Sequence, residues 1–164
     1  MIIKNTNINF TNYYNILNFL GDTLKNHSSI AYVSQGPILD IDNFSFPSYP
    51  FANILINQIN VLGNTSTYSI NLIVGDKVKD LNNLSENDTP QIIDFYGTDD
   101  EVDIFANTSG ILNDVLNFIE NGTTAFRIEG TITMNPFSNK FKNGISGFSA
   151  DFNLVTFNNR NRCE

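Results

Sequence analysis

Apolar residues recur along this chain in two periods, and the alternation between them predicts its elements. Over residues 11–25, Tyr13, Ile16, Leu17, Leu20 and Leu24 fall at helical spacing. That spacing lays one apolar stripe along a short amphipathic helix, with Thr11 at its cap. Residues 29–42 hold short apolar stretches broken by Gly36-Pro37, the pattern of one strand and a turn. After Pro47 and Pro50, the run from Phe51 to Val61 is rich in Ile and Leu without clean alternation. Tyr68, Ile70, Leu72 and Val74 then alternate with Ser69, Asn71 and Gly75. Gly63-Asn64 between the two runs suits the positive φ angles of a tight turn, so 51–78 reads as a long β-hairpin.

Residues 79–97 are polar, carry Pro90 and read mostly as loop. Thr98-Asp99-Asp100-Glu101 then matches a capping box, in which Thr98 and Glu101 satisfy each other's backbone donors, and its acids suit the positive end of a helix dipole. From there Val102, Phe105, Ser109, Leu112, Leu116 and Ile119 step by three and four as far as Asn121-Gly122, a natural stop. The spacing predicts a long helix over 99–121.

Phe126, Ile128, Ile132 and Met134 alternate with Arg127, Glu129, Thr131 and Thr133, and Phe148, Ala150, Phe152 and Leu154 alternate with Ser149, Asp151 and Asn153. These are two half-buried strands, over 125–134 and 147–157. The stretch 135–147 between them is polar, with Pro136, Lys140, Lys142 and Asn143-Gly144, and reads as a flexible projecting loop. Helix, strand, hairpin, helix, hairpin in this order predicts an α+β fold. Its mostly antiparallel sheet of four to six strands has two helices packed on one face, in a single domain over 1–164 that ends in a short basic C-terminal tail.

Composition narrows the class. A chain of 164 residues with 41% apolar content has the size of one domain whose core needs no metal or disulfide to complete it. Its one cysteine, Cys163, forms no intrachain disulfide and gives no sign of disulfide-stabilised secretion. No run approaches the ~20 apolar residues of a membrane span, and Met1 to Phe10 is too short and Asn-rich for the apolar core of a signal peptide. The expectation is a soluble protein with no membrane partner. The 27 asparagines are interleaved with 14 Phe and 6 Tyr, which reads as the codon bias of an AT-rich gene rather than as a low-complexity tract. Asn-x-Ser/Thr triplets at Asn64, Asn107 and Asn121 are by-products of that bias.

Candidate chemistry is sparse. The only histidine, His27, follows the first helix with no cysteine or second histidine near it, and reads as structural. A Ser-His-Asp site is assembled only in the fold, so spacing leaves it open. The chain has no Gly-x-Ser-x-Gly elbow, no phosphate loop and no zinc spacing. The acids around Asp99 are explained by the helix start, and they lack the alternating ligands, turn glycine and distal Glu of a calcium loop. The reading is therefore a protein that is not an enzyme, with no catalytic, cofactor-binding or metal-binding residues.

Charge is more informative. A net charge of −8 opposes a surface that wraps nucleic acid by neutralising phosphates, though not one that DNA slides past. From Asp76 to Asp103 nine acids face only Lys77 and Lys79, a balance of −7, whereas from Arg127 to Arg162 five bases face Glu129 and Asp151, a balance of +3. This polarity predicts opposite patches that meet head to tail between copies. Asp99, Asp100, Glu101 and Asp103 of one copy would face Lys140, Lys142, Arg160 and Arg162 of the next.

Larger stretches also follow a recognisable order. A short N-terminal helix leads to Tyr49-Pro50 and the strand FANILINQINV. TYSINLIVGDKVKDL follows, ahead of the helix ILNDVLNFIE. The chain closes with MNPFSNKFKNGISGFSADFNLVTFNNRNRC, which carries Pro136-Phe137, Phe141, Gly147-Phe148 and Cys163. Over about residues 10–163 this order resembles the small neck and tail-completion proteins of tailed bacteriophages, particularly crAss-like and related phages of Bacteroidetes. The resemblance implies a tail-terminator-like protomer, a virion protein assembled in the bacterial host cytoplasm. It would form a ring of six or twelve copies at the neck or head-proximal tail end and join or complete the tail. Implied partners are further copies, other neck and tail proteins, and DNA passing through the ring lumen without specific binding. No enzymatic residue is implied. The alternative is an extracellular carbohydrate- or protein-binding module without catalysis. Such modules share the acidic, strand-rich pattern but rarely carry a long helix like 99–121 and often expose Trp, which is absent here.

Overall fold

The computed structural model describes residues 13–37, 48–78, 99–122, 126–140 and 144–157, without the side chains of residues 99, 100, 139 and 140. The Thr11 cap, the 79–97 loop, Thr98, Lys142, Arg160, Arg162 and Cys163 lie outside the described residues. The elements are α1 (Tyr13–Lys25), β1 (Tyr32–Gln35), β2 (Phe51–Leu62), β3 (Thr65–Lys77), α2 (Asp99–Gly122), β4 (Phe126–Lys140) and β5 (Ile145–Phe157). Five strands form one sheet in the order β1-β2-β3-β5-β4. Only the β1–β2 pair is parallel, so the fold is α+β with a mostly antiparallel sheet.

Both helices cover the same face. Ile16, Leu20 and Leu24 of α1 and Ile111, Leu112, Val115, Leu116 and Ile119 of α2 share a core with Ala52, Ile54, Ile70, Leu72, Val74, Ala150, Phe152 and Leu154. Each fully buried Leu, Ile or Val here contributes about 1.5–3 kcal/mol. Phe19 meets Phe126 at a tilt, 4.8 Å between centroids, and Phe105 meets Phe148 edge-on at 5.6 Å, which fastens α1 to β4 and α2 to β5. The buried face of α2 is rotated from the expected stripe: Val102 is exposed, while Ile104 and Thr108 are buried. Thr108 donates its hydroxyl to the Ile104 carbonyl at 2.6 Å. That internal bond lets a polar residue occupy a core position, which a purely apolar pattern passes over.

The opposite face of the sheet is polar over most of its area. Ser69 donates to Asn153 at 2.9 Å, and Asn71 to Asp151 at 2.8 Å. At one end, however, a single register row runs Tyr32, Phe51, Gly75, Gly147, Phe137 across all five strands. Phe51 and Phe137 pack there with Ile73 and Ile145 as a second small core. Both central positions leave little or no room for a side chain. A Cβ on Gly75 would lie 2.8 Å from the Phe51 ring, and one on Gly147 would lie 2.1 Å from the Val74 carbonyl oxygen.

Of the loop expected over 135–147, residues 135–140 and 145–147 are strand instead. β4 continues to Lys140, pairing Phe137 with Gly147 and Lys140 with Ile145, so the connection shrinks to residues 141–144. Pro136 reads as a breaker in sequence, but β4 is the outermost strand, where a missing N–H deprives no neighbour. Phe137, only 7% exposed, anchors the continuation in the second core.

Candidate assembly interface

The residues expected to form charged contacts between copies are placed in part. Glu101 lies in the first turn of α2, where its Oε1 accepts the hydroxyl of buried Ser146 at 2.8 Å. This carboxylate ties the start of α2 to the start of β5 instead of standing free. Asp103 is exposed on the same turn, and Asp99 and Asp100 begin the helix. Lys140 ends β4. Among the described residues, the ion pairs are His27–Asp114 and Arg127–Glu129, each at 3.5 Å, and neither belongs to the expected set.

His27 sits just beyond α1, and both of its ring nitrogens are engaged. The backbone N–H of Ser29 donates to Nδ1 at 3.2 Å, while Nε2 faces Asp114 Oδ2 on α2 at 3.5 Å. The ring therefore bridges the two helices. Thr23, the nearest hydroxyl on α1, donates instead to the Phe19 carbonyl at 2.8 Å. Below the bridge, α1 and α2 part to leave a cleft of about 500 Å³ lined by Phe19, Asp22, Thr23, Asn26, His27, Asp114, Val115 and Phe118. Its floor is apolar and its rim carries two carboxylates. Phe118 is 51% exposed. Its ring lies over Gly122, where an added Cβ would come within 3.1 Å, so the last turn of α2 holds it outside the core.

A second surface lies at the far end of β2. The first four residues of β2 are buried and its last six are exposed, because β1 pairs only with Phe51 to Ile54. Past that point the outer edge of β2 has no strand neighbour among the described residues. A register shift between Ile56 and Gln58 precedes this free half. Ile59 lies opposite Tyr68 and Val61 opposite Ser66, so both take the helix side of the sheet but lie past the helices' cover. Val61 is 67% and Leu62 82% exposed. Burial pushes the Tyr68 phenol above its ordinary pKa of 10.0.

The two edges of the sheet differ in chemistry. β4 is blunted by Arg127 and Glu129, by Gly130 at φ 83°, by two register shifts and by Pro136, the devices that keep an edge from pairing with another chain. The free half of β2 has only its one shift. From Asn43 to Gly75 the sequence holds no charged side chain. The missing alternation in 51–61 was a signal of this surface. Which end of β2 is bare depends on where β1 stops, and that is a tertiary fact. Comparison of the sequence with protein-family models and with the curated proteins finds no match.

Proposed function

We propose that this chain is a structural subunit that works by binding copies of itself, forming a ring at the neck or head-proximal end of a phage tail. The observation that carries self-association is the uncharged, exposed apolar end of the β2–β3 hairpin on a protein of net charge −8. Acidic copies repel one another, and a neutral apolar end is where approach costs least. Withdrawing Val61 and Leu62 from water contributes on the order of 1–2 kcal/mol each. A heterologous contact of that kind repeats until rotation closes it. Support for a place in a virion comes from the order of stretches between Tyr49-Pro50 and Cys163. In this reading the subunit performs no chemistry and holds no cofactor. Its partners are further copies, adjoining neck and tail proteins, and DNA that passes the acidic surface without being gripped.

Native mass spectrometry and electron microscopy of the purified chain test this reading. The expected result is a closed ring of one stoichiometry, with Cys163→Ser assembling as well as the wild type. A chain that stays monomeric at every concentration overturns it, and a monomer that binds glycans supports the extracellular module instead.

A further inference from the structure

We infer that the tip of the β2–β3 hairpin of one copy seats in the α1–α2 cleft of the next copy, so that tip and hollow are the two halves of one contact. This rests on the self-assembly reading above and supplies its counter-surface.

A closed ring needs two different surfaces on every copy. Among the described residues, the end of the β2–β3 hairpin is an exposed apolar surface and the α1–α2 cleft is an apolar-lined hollow. The hollow, at about 500 Å³, lies within the range of about 300–1,000 Å³ that encloses a small ligand, which is room for a few side chains. Val61 and Leu62 are exposed at the tip, and the apolar lining they would meet is Phe19, Val115 and Phe118. An exposed aromatic ring beside a hollow is the kind of anchor on which interface energy concentrates.

Polar groups match as well. The rim of the cleft presents the carboxylates of Asp22 and Asp114, which only accept hydrogen bonds. The tip presents the side-chain amides of Asn60 and Asn64, both exposed, and brings no carboxylate of its own. Hydrogen bonds from amide to carboxylate are of the stronger, charge-assisted kind. An acidic tip at the same rim would be repelled, so the absence of charge from Asn43 to Gly75 serves the contact directly.

The test uses single-cysteine chains in a Cys163→Ser background. Leu62→Cys and Phe118→Cys chains are assembled separately or mixed, then treated with a short bis-maleimide. The expected result is covalent dimer in the mixture at least ten-fold above either chain alone. Leu62→Asp and Phe118→Asp should each lower ring yield at least ten-fold with the monomer's melting temperature unchanged, since both side chains lie outside the core. If the wild type forms rings but the mixture does not cross-link and both Asp variants assemble normally, the inference is wrong and the ring reading stands. Cross-linking from Lys142→Cys to Phe118→Cys instead would assign the cleft to the β4–β5 hairpin and overturn it. Self-cross-linking of Asn60→Cys alone would show that the β2 edges pair with each other, which also overturns it. A wild type that never assembles removes both readings.

Discussion

Replacing Gly147 by Ala tests whether the glycine row on the polar face is a packing requirement. The added Cβ would lie 2.1 Å from the Val74 carbonyl oxygen, 2.8 Å from Gly75 Cα and 3.1 Å from the Val74 carbonyl carbon. All three are backbone atoms of β3, held by ladders to β2 on one side and β5 on the other. They cannot rotate aside as a side chain does. Restoring ordinary contact, which begins near 3.4 Å, parts the strands by more than an ångström. Two or so ladder hydrogen bonds around Val74↔Phe148 are then stretched, at about 1 kcal/mol each, and overpacking adds about 1–3 kcal/mol. The lower entropy of Ala in the unfolded chain offsets about 0.4–1 kcal/mol.

The expected net loss is about 3 kcal/mol, or a fall of about 6–12 °C in Tm at this chain length. Urea melts followed by circular dichroism should show the midpoint displaced at unchanged slope. Two companions rank the effect. Gly75→Ala should cost less, because the atoms it meets at 2.8 and 2.9 Å belong to the side chains of Phe51 and Ile145. Gly110→Ala, within α2 and with nothing within 4 Å of its Cβ, should stabilise by about 0.8–1 kcal/mol. A Gly147→Ala chain as stable as the wild type, or a reversal of the order of these three, refutes the reasoning.

Leu112→Ala, at a fully buried position of α2, should cost about 2–5 kcal/mol in the same melts. Burial raises the Tyr68 pKa from 10.0, so the folded state keeps the phenolic proton that the unfolded chain begins to release near pH 10. The contribution is complete below that pH and is lost as pH climbs through the raised folded value. Tyr68→Phe should therefore flatten the fall of Tm above about pH 10, with tyrosinate absorbance as the check. Reversing Lys140 and Lys142 to Glu should weaken assembly at low salt and leave the monomer's Tm nearly unchanged, since exposed pairs are worth about 0–1 kcal/mol each. Assembly that is equally efficient at low and high salt and survives the reversal counts against a charged contact.

Elements whose periodicity is local were legible in the sequence. The α2 stripe and its Asn121-Gly122 stop place that helix within a residue of where it ends, and Gly63-Asn64 marks the turn of the β2–β3 hairpin. Tertiary context decided the rest. Pro136 and the polar residues after it resemble a loop until β4 is known to be the outermost strand, with Phe137 packed in the second core. Thr108 occupies a buried position that hydrophobicity alone assigns to its neighbours. The candidate surfaces were harder to read. A run without alternation, such as 51–61, suits burial on both faces as well as a free end. The cleft joins Phe19 to Phe118 across almost a hundred positions, so no spacing rule finds it. The acids around Asp99 were visible as a cluster, but the tie from Glu101 to Ser146 was not.

The pairing of β3 with β5 also bears on how the molecule comes together. Partners along it lie between 68 and 92 positions apart in the chain, from Lys77↔Ile145 to Thr65↔Phe157. The two hairpins on either side are local and form within about 1–10 μs. Joining them requires closing the long segment that contains α2, and that entropy is met before any contact across the join repays it. The join is therefore expected to be the slow step of folding. Weakening it at Ile70↔Phe152 should lower the folding rate, whereas a change at Ile59 should leave that rate alone. Until the join closes, β3 and β5 are bare as well as the outer strands. A chain in which the join is still open presents two hairpins, each able to pair with the wrong neighbour, and any surface that spans both is complete only after this one internal closure.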